Sequence, residues 1–238
     1  MSGHSKWDKI HRQKGVTDAK RGNLFTKLSR NITLAARKGG DPEMNFSLKL
    51  AVDKAKASNM PKDGIEKAIK RGTGELGGEV IEELMYEAFG PSGVALLIEG
   101  ATDNKNRTTP EVKAILARNG GTLGAQNSVK WMFEHKGVIR INLAGIEDKD
   151  SLMLDIIDFG ADDVHEEEGG FTVTTTFSGF EKVRKNLENK NTKIEYAEME
   201  WVAKDKQEID ESIAEKIDRI VEWLEEHDDV NSVYTNIS

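Results

Sequence analysis

The sequence predicts an α+β protein: an N-terminal three-helix bundle plus two α/β-sandwich (ferredoxin-like) domains, the last inserted into the middle one. Hydrophobic residues recur at helical spacing through residues 17–72, whereas alternating strand patterns and Gly-rich turns follow from residue 80. Residues 137–203 show a complete β-α-β-β-α-β order, the order of a ferredoxin-like domain. These observations indicate a helical block followed by two mixed domains.

Three helices are predicted in the first 76 residues. The first extends from Thr17 to a terminating glycine at Gly39. Asp41-Pro42 and Asn59-Met60-Pro61 each have the pattern of an N-cap followed by proline in the first turn, so they begin the second and third helices. Residues 73–78 (TGELGG) form the predicted linker.

The chain after the linker predicts a hairpin over residues 80–99, a helix that begins at Thr109-Pro110, and a strand at 129–133. This unit lacks the second helix needed to cover its sheet, and a helix and a strand remain unassigned near the C-terminus. We therefore expect three domains: 1–76, a basic helical domain; 77–136 plus 207–238, a discontinuous α+β domain; and 137–206, an inserted ferredoxin-like α+β domain.

Charge is divided unequally along the chain. Residues 1–76 contain 17 Lys/Arg and 8 Asp/Glu, a net charge of +9, and residues 77–238 contain the other 17 Lys/Arg with 34 Asp/Glu, a net charge of −17. A basic block of domain size is typical of a module that binds phosphate groups. The acidic remainder repels phosphate, so we expect it to contact protein.

The first helix carries its cations on one face, opposite its apolar residues. That face and the tail before it are the predicted nucleic-acid contacts, with Trp7 as a base-stacking candidate. The alternative is a solvated helix face, which usually alternates Lys/Arg with Glu. The predicted binding residues are Lys6, Trp7, Lys9, Arg12, Lys14, Lys20, Arg21, Lys27, Arg30, Arg37 and Lys38.

The sequence gives little support for catalysis, cofactors or metals. It contains no cysteine, its five histidines are scattered, and it has no phosphate-binding glycine loop or nucleophile motif. No apolar run is long enough for a membrane span, so we expect a cytoplasmic protein. One polar cluster before a helix is a candidate anion site, and it consists of Lys105, Asn106, Arg107 and Thr108. The alternative is that this segment only caps the helix, through Thr108 or Thr109.

Several motifs resemble those of the YebC-like family. They include residues 3–7 (GHSKW), 18–22 (DAKRG), 59–63 (NMPKD) and 106–108 (NRT), and they are densest before residue 135. The resemblance implies a three-domain, non-enzymatic protein. Bacterial members are described as probable transcriptional regulators that bind DNA, and mitochondrial members as translational activators. It also implies an association of bacterial members with ribosomes stalled on proline-rich sequence.

The leading hypothesis is a nucleic-acid-binding regulator of gene expression, a probable transcriptional regulator that binds DNA through the basic helical domain. Ribosomal RNA is the alternative target, which would make the protein a ribosome-associated translation factor. No helix displays an evident set of base-reading side chains, so charge-driven contact with structured RNA fits equally well. Two other classes remain open: a module whose basic face pairs with an acidic partner or with its own acidic body, and an enzyme that uses residues 103–108.

Overall fold

The computed structural model describes residues 18–77, 80–167 and 169–237, with the side chains of the first helix from residue 21. Three helices begin the described chain: α1 (Asp18–Ala36), α2 (Phe46–Ala57) and α3 (Lys62–Gly72). Their core consists only of their own side chains, including the fully buried Ile32, Leu48 and Ala55. Burial of this apolar stripe stabilises the bundle, as its helical periodicity predicts.

The second helix begins later than the sequence predicts. Asp41 does not cap it, because residues 42–44 form a turn and Asn45 is the N-cap. The Asn45 side-chain oxygen accepts from Leu48 N, and its Nδ2 donates to the carbonyl groups of Ala35 and Gly39 at 2.8 Å. These contacts with the end of α1 fix the start of α2. The predicted N-cap at Asp41 is therefore wrong.

The third helix also differs at its start. Pro61 occupies the N-cap position, with no side-chain hydrogen bond, and Lys62 is the first helical residue. Asn59 has a positive φ of 58° just before it, so this residue belongs to the preceding turn. The prediction of a proline inside the first helical turn is therefore one residue out of place.

The first sheet has the strand order β3-β1-β2-β8. Its strands are β1 (Glu82–Phe89), β2 (Ala95–Thr102), β3 (Thr122–Leu123) and β8 (Val230–Thr235). The predicted hairpin is confirmed, since β1 and β2 pair antiparallel from Glu82 with Thr102 to Phe89 with Ala95. Two helices pack on this sheet, α4 (Lys105–Arg118) and α7 (Glu211–Glu226), and share its apolar core. The C-terminal helix and strand thus complete the sheet.

Two elements of this region differ from the sequence prediction. The helix starts at Lys105 rather than at Thr109, so Pro110 lies inside it and Asn104 is its N-cap. The predicted strand at 129–133 is wrong, because Lys130–Met132 is a short 3₁₀ turn. The Glu87 carboxylate explains this turn, since it accepts hydrogen bonds from the backbone N–H groups of Asn127, Val129 and Lys130 at 2.6–2.8 Å.

The second sheet has the order β5-β6-β4-β7. Its strands are β4 (Phe133–Asn142), β5 (Asp163–Glu167), β6 (Gly170–Thr175) and β7 (Ile194–Ala203), and its helices are α5 (Lys149–Phe159) and α6 (Phe180–Asn189). All three strand pairs are antiparallel, which is the ferredoxin-like arrangement that the sequence predicts. Gly137 on β4 allows close packing of the buried Phe180, because a Cβ atom on residue 137 would lie only 2.3 Å from the Phe180 ring.

Residues 131–206 form one compact unit, and the described residues before and after them form another. Together with the helices at the N-terminal end and the two four-stranded antiparallel sheets, this arrangement confirms the predicted fold class. The division into three domains with the boundaries given above stays a prediction.

Candidate nucleic-acid interface

Helix α1 turns two of its predicted phosphate-binding cations toward the rest of the same compact unit. The Lys27 ammonium donates to the carbonyl oxygen of Glu225 at 2.5 Å. The Arg30 guanidinium donates to the Asp229 carboxylate at 2.5 Å and to the Asp228 carbonyl at 2.9 Å. These contacts fall at the end of α7 and on the turn that leads into β8, so this part of the cationic face is already covered by acidic sequence.

Arg37, which directly follows α1, makes a similar contact. Its guanidinium donates to the carbonyl oxygen of Ile81 at 2.5 Å. On α1 itself, Asn31 accepts a hydrogen bond from the Asn231 amide at 2.6 Å. Arg37 is nevertheless exposed, as are Arg21 and Lys38, the two other predicted cations with described side chains.

The remaining predicted contacts lie outside the described residues: Lys6, Trp7, Lys9, Arg12, Lys14 and the side chain of Lys20. Their role in binding stays a prediction from the charge pattern.

Asp229 is the centre of the contact between α1 and the first sheet. Its side chain is 1% exposed, and it accepts hydrogen bonds from Thr102, Thr108 and Arg107 at 2.6–2.9 Å, in addition to Arg30. Burial by itself would raise the pKa of this carboxyl. The hydrogen bonds from these three residues, together with the charge of Arg30, outweigh burial and lower the pKa to about 2.

The candidate anion site of the sequence lies at the N-terminus of α4, beside Asp229. Asn104 caps the helix through Arg107 N, so the alternative of capping by Thr108 or Thr109 is wrong. Arg107 and Thr108 both donate to Asp229, which means that the anion in this position is a carboxylate of the same chain. Lys105 pairs with Glu82 at 2.6 Å, and Asn106 is exposed. Binding of an external anion there stays a prediction.

Lys27 of α1 is partly buried. Burial lowers its pKa below the usual lysine value, although the carboxylates of Glu225 and Asp228 oppose that effect. A cation that loses water without a direct carboxylate partner is less stable in its charged form. Lys27 is therefore held in this position by its carbonyl partner and by nearby negative charge.

A second set of cations faces solvent, and its residues are not among the binding residues predicted from the sequence. On α3, Ile65 and Ala68 are buried, while Lys67, Lys70 and Arg71 are exposed. Among the described residues, none forms an ion pair with the charged groups of these three side chains. The signal was present in the sequence, because these positions lie opposite the apolar stripe of α3.

The exposed surface of α2 adds Lys54 and Lys56 to the same small bundle. A cleft of about 600 Å³ lies between α1 and α3, and its lining includes Phe25, Arg30 and Arg71. One outward cation of α3, Arg71, and one cation of α1, Arg30, therefore border the same opening, together with Asp103.

Other kinds of site receive no support from the described residues. Within residues 18–77, 80–167 and 169–237, no group of three or more acidic or histidine side chains could hold a metal ion. No helix in the same part of the chain has the length and hydrophobicity of a membrane span.

Comparison with known proteins identifies the family. Residues 5–75 match the TACO1/YebC protein N-terminal domain, and residues 81–237 match the TACO1/YebC second and third domain. A relative from Pelotomaculum thermopropionicum is 49% identical over 99% of this chain and 98% of its own, and one from Caldanaerobacter subterraneus is 46% identical over 100% and 98%. Both are named probable transcriptional regulatory proteins.

A solved structure agrees with this match. The crystal structure of a conserved hypothetical protein from Aquifex aeolicus has a TM-score of 0.84 and 39% identity, and the alignment covers 100% of this chain and 95% of that one. The two domain matches cover nearly the whole sequence, which confirms the resemblance noted from the motifs. The chain belongs to the TACO1/YebC family.

Proposed function

We propose that this protein is a nucleic-acid-binding regulator of gene expression that contacts phosphate groups through its helical block. The names of its relatives support a regulatory role at the level of the family. The single observation that carries the proposal is the outward cationic surface of α3, formed by Lys67, Lys70 and Arg71. Cations that face solvent without acidic partners neutralise phosphates and release their counterions.

The composition of α3 favours contact with the backbone of the nucleic acid over reading of its bases. Its sequence, KDGIEKAIKRG, contains no Asn or Gln, the side chains that pair with adenine. Its exposed residues are charged, and lysine ammonium groups bind phosphate as point charges. We therefore propose binding that depends on charge and shape and that has little base specificity from this helix.

The rest of the chain has the opposite charge, which limits how the nucleic acid can lie. Residues 77–238 have a net charge of −17 by the count above, so phosphate is repelled from most of their surface. We propose that these parts contact protein and orient the helical block.

The test is charge reversal on α3 with a matched control. Lys67→Glu, Lys70→Glu and Arg71→Glu are combined in one variant, and Lys193→Glu, Lys204→Glu and Lys206→Glu, all exposed cations of the 131–206 unit, in the other. Both variants change the net charge equally. Loss of three phosphate contacts predicts an affinity roughly 50-fold lower or more at 0.15 M salt for the first variant. Equal affinities for the two variants would reject the assignment to α3.

The polymer is a separate question, and ribosomal RNA is the second candidate. The absence of amide base readers on α3 favours it as much as it favours duplex DNA. Co-sedimentation with ribosomes at physiological salt, with excess duplex DNA as competitor, separates the two. Retention on ribosomes supports a translation factor, and removal by DNA supports a transcriptional regulator.

A further inference from the structure

The covered cationic face has the chemistry of a phosphate-binding surface that is already occupied. It consists of the partly buried Lys27 and Arg30 of α1, with Arg37 directly after the helix, which is exposed but bonded to the same chain. Each of the three donates to an oxygen atom of the same chain, at distances of 2.5 Å. Two of those acceptors are neutral carbonyls, and the third is the Asp229 carboxylate. Phosphate oxygens accept the same hydrogen bonds from ammonium and guanidinium groups and carry more charge than a carbonyl.

The described hydrogen bonds between α1 and the rest of this unit join polar groups, and each side has its own apolar core. The core of α1–α3 contains only residues of those helices, and the core beneath the first sheet contains only residues of its own strands, helices and connections. The hydrogen bonds between the two include those of the three cations and the Asn31–Asn231 amide pair. Separation of the two surfaces therefore breaks polar contacts that water or phosphate can replace, and neither of these two cores spans the contact.

Asp229 remains satisfied when Arg30 leaves. Thr102, Thr108 and Arg107 still donate to its carboxylate at 2.6–2.9 Å, and all three belong to β2 and α4. A buried carboxylate that lost its only partner would strongly oppose such a movement. Here the remaining donors compensate the charge, so α1 can exchange its contact with Asp229 for another anion.

We propose that the covered cationic face is a second nucleic-acid surface, and that residues 225–229 and Ile81 cover it until phosphate displaces them. The inference rests on the proposed function, because it assumes that the outward cations of α3 first bring the polyanion to the block. The cleft lined by Arg30 and Arg71 joins the two surfaces. In full binding, Lys27, Arg30 and Arg37 exchange their bonds to this chain for bonds to phosphate.

The test uses a reversible cross-link that holds α1 against the turn before β8, so that the covered cationic face cannot open. The natural sequence has no cysteine, so Asn31→Cys with Asn231→Cys introduces the only thiols, at side chains that contact each other. A short bis-methanethiosulfonate links them, and a reductant removes the link. Each single-cysteine variant, treated with the same reagent, is the control for chemical modification.

Binding of an RNA hairpin and of duplex DNA is measured at several salt concentrations before and after reduction. Two partly buried cations, Lys27 and Arg30, and the bonded Arg37 predict that the slope of log affinity against log salt is shallower by about 2–3 in the locked protein, and that affinity at 0.15 M salt is at least about tenfold lower. Reduction should restore both values. Equal slopes and affinities in the locked and reduced forms would overturn the proposal of a second nucleic-acid surface.

A second variant tests the same surface without cross-linking. Asp229→Asn removes the charge that attracts Arg30, so it should tighten nucleic-acid binding and steepen its salt dependence. An unchanged or weaker affinity of the folded variant contradicts the inference. Failure of the proposed function is recognised separately. If reversal of Lys67, Lys70 and Arg71 does not change the affinity, the α3 assignment is wrong, irrespective of the cross-linking result. If no form of the protein binds nucleic acid, both proposals are wrong.

Discussion

Replacement of Asp229 by asparagine should destabilise the protein by an amount that depends on pH. Asparagine keeps the size of the side chain but removes the charge that Arg30 and Arg107 share. The pKa of this carboxyl falls from 3.8 to about 2 in the folded protein. At about 1.4 kcal/mol for each pKa unit, that difference corresponds to about 2.5 kcal/mol of stability from the ionised form.

The direction of the pH dependence follows from the lowered pKa. The ionised carboxylate is favoured by folding, so its contribution is fully present above the unfolded pKa, near 4, and is lost as pH falls toward about 2. The free-energy difference between the wild type and Asp229→Asn should therefore be about 2.5 kcal/mol at pH 7. It should decrease steadily between pH 4 and pH 2.

Urea unfolding followed by far-UV circular dichroism, at pH values from 7 to 2.5, measures this difference. Acid effects of the other carboxylates are common to both proteins and cancel in the comparison. Asp155→Asn is the matched control, since Asp155 forms an exposed ion pair with Lys190 and should contribute less than about 1 kcal/mol. A difference for Asp229→Asn that is below about 0.5 kcal/mol, or that stays constant down to pH 2.5, would refute the reasoning.

Three further substitutions test the packing and the turns. Glu87→Gln replaces one of the two acceptor oxygens with an NH₂ group, so at least one of the three backbone donors loses its acceptor and the unfolding free energy in urea should fall by about 1–3 kcal/mol. Gly137→Ala forces a methyl group against the buried Phe180 and should lower the thermal midpoint, with a cost of about 1–3 kcal/mol. Gly22→Ala, at an open position of α1, should instead raise stability by up to about 1 kcal/mol, and a lower midpoint would show a contact that this position must keep free.

The fold is predictable from the sequence where local patterns determine it. Apolar spacing predicts the end of α1 to within two residues, and alternation with Gly-rich turns predicts the β4–β7 unit. The C-terminal helix and strand can be assigned to the first sheet from topology, because that sheet otherwise lacks a second helix to cover it. Periodicity and turn residues act over a few positions and are visible without the fold.

The errors arise where contacts distant in sequence decide the outcome. Helix α4 starts four residues early relative to the prediction because Asn104 caps it and Asp229, more than 120 residues later, binds its first turn. Pro110 lies inside that helix, although a proline is more typical of a helix start. The strand predicted at 129–133 is a turn because Glu87, about 40 residues earlier, binds its backbone.

The sequence predicts which part of the chain carries the candidate interface, but it predicts the surface residues of that part only incompletely. The net charge of the first 76 residues identifies the helical block, since charge is a property of composition. The choice of the α1 face could not account for partners such as Asp229 and Glu225, which follow about 200 residues later. Exposure and hydrogen bonding, which distinguish Lys67 from Lys27, depend on the assembled fold.

The central claim is that outward cations of the helical block bind phosphate, and the salt dependence of binding tests it most directly. The affinity of the wild type and of the Lys67, Lys70 and Arg71 reversal variant for an RNA hairpin is measured between about 0.05 and 0.3 M salt. A steep slope for the wild type that becomes shallower by about 2–3 in the variant is the predicted result. A wild-type affinity that does not change with salt, or parallel slopes for the two proteins, would contradict the claim.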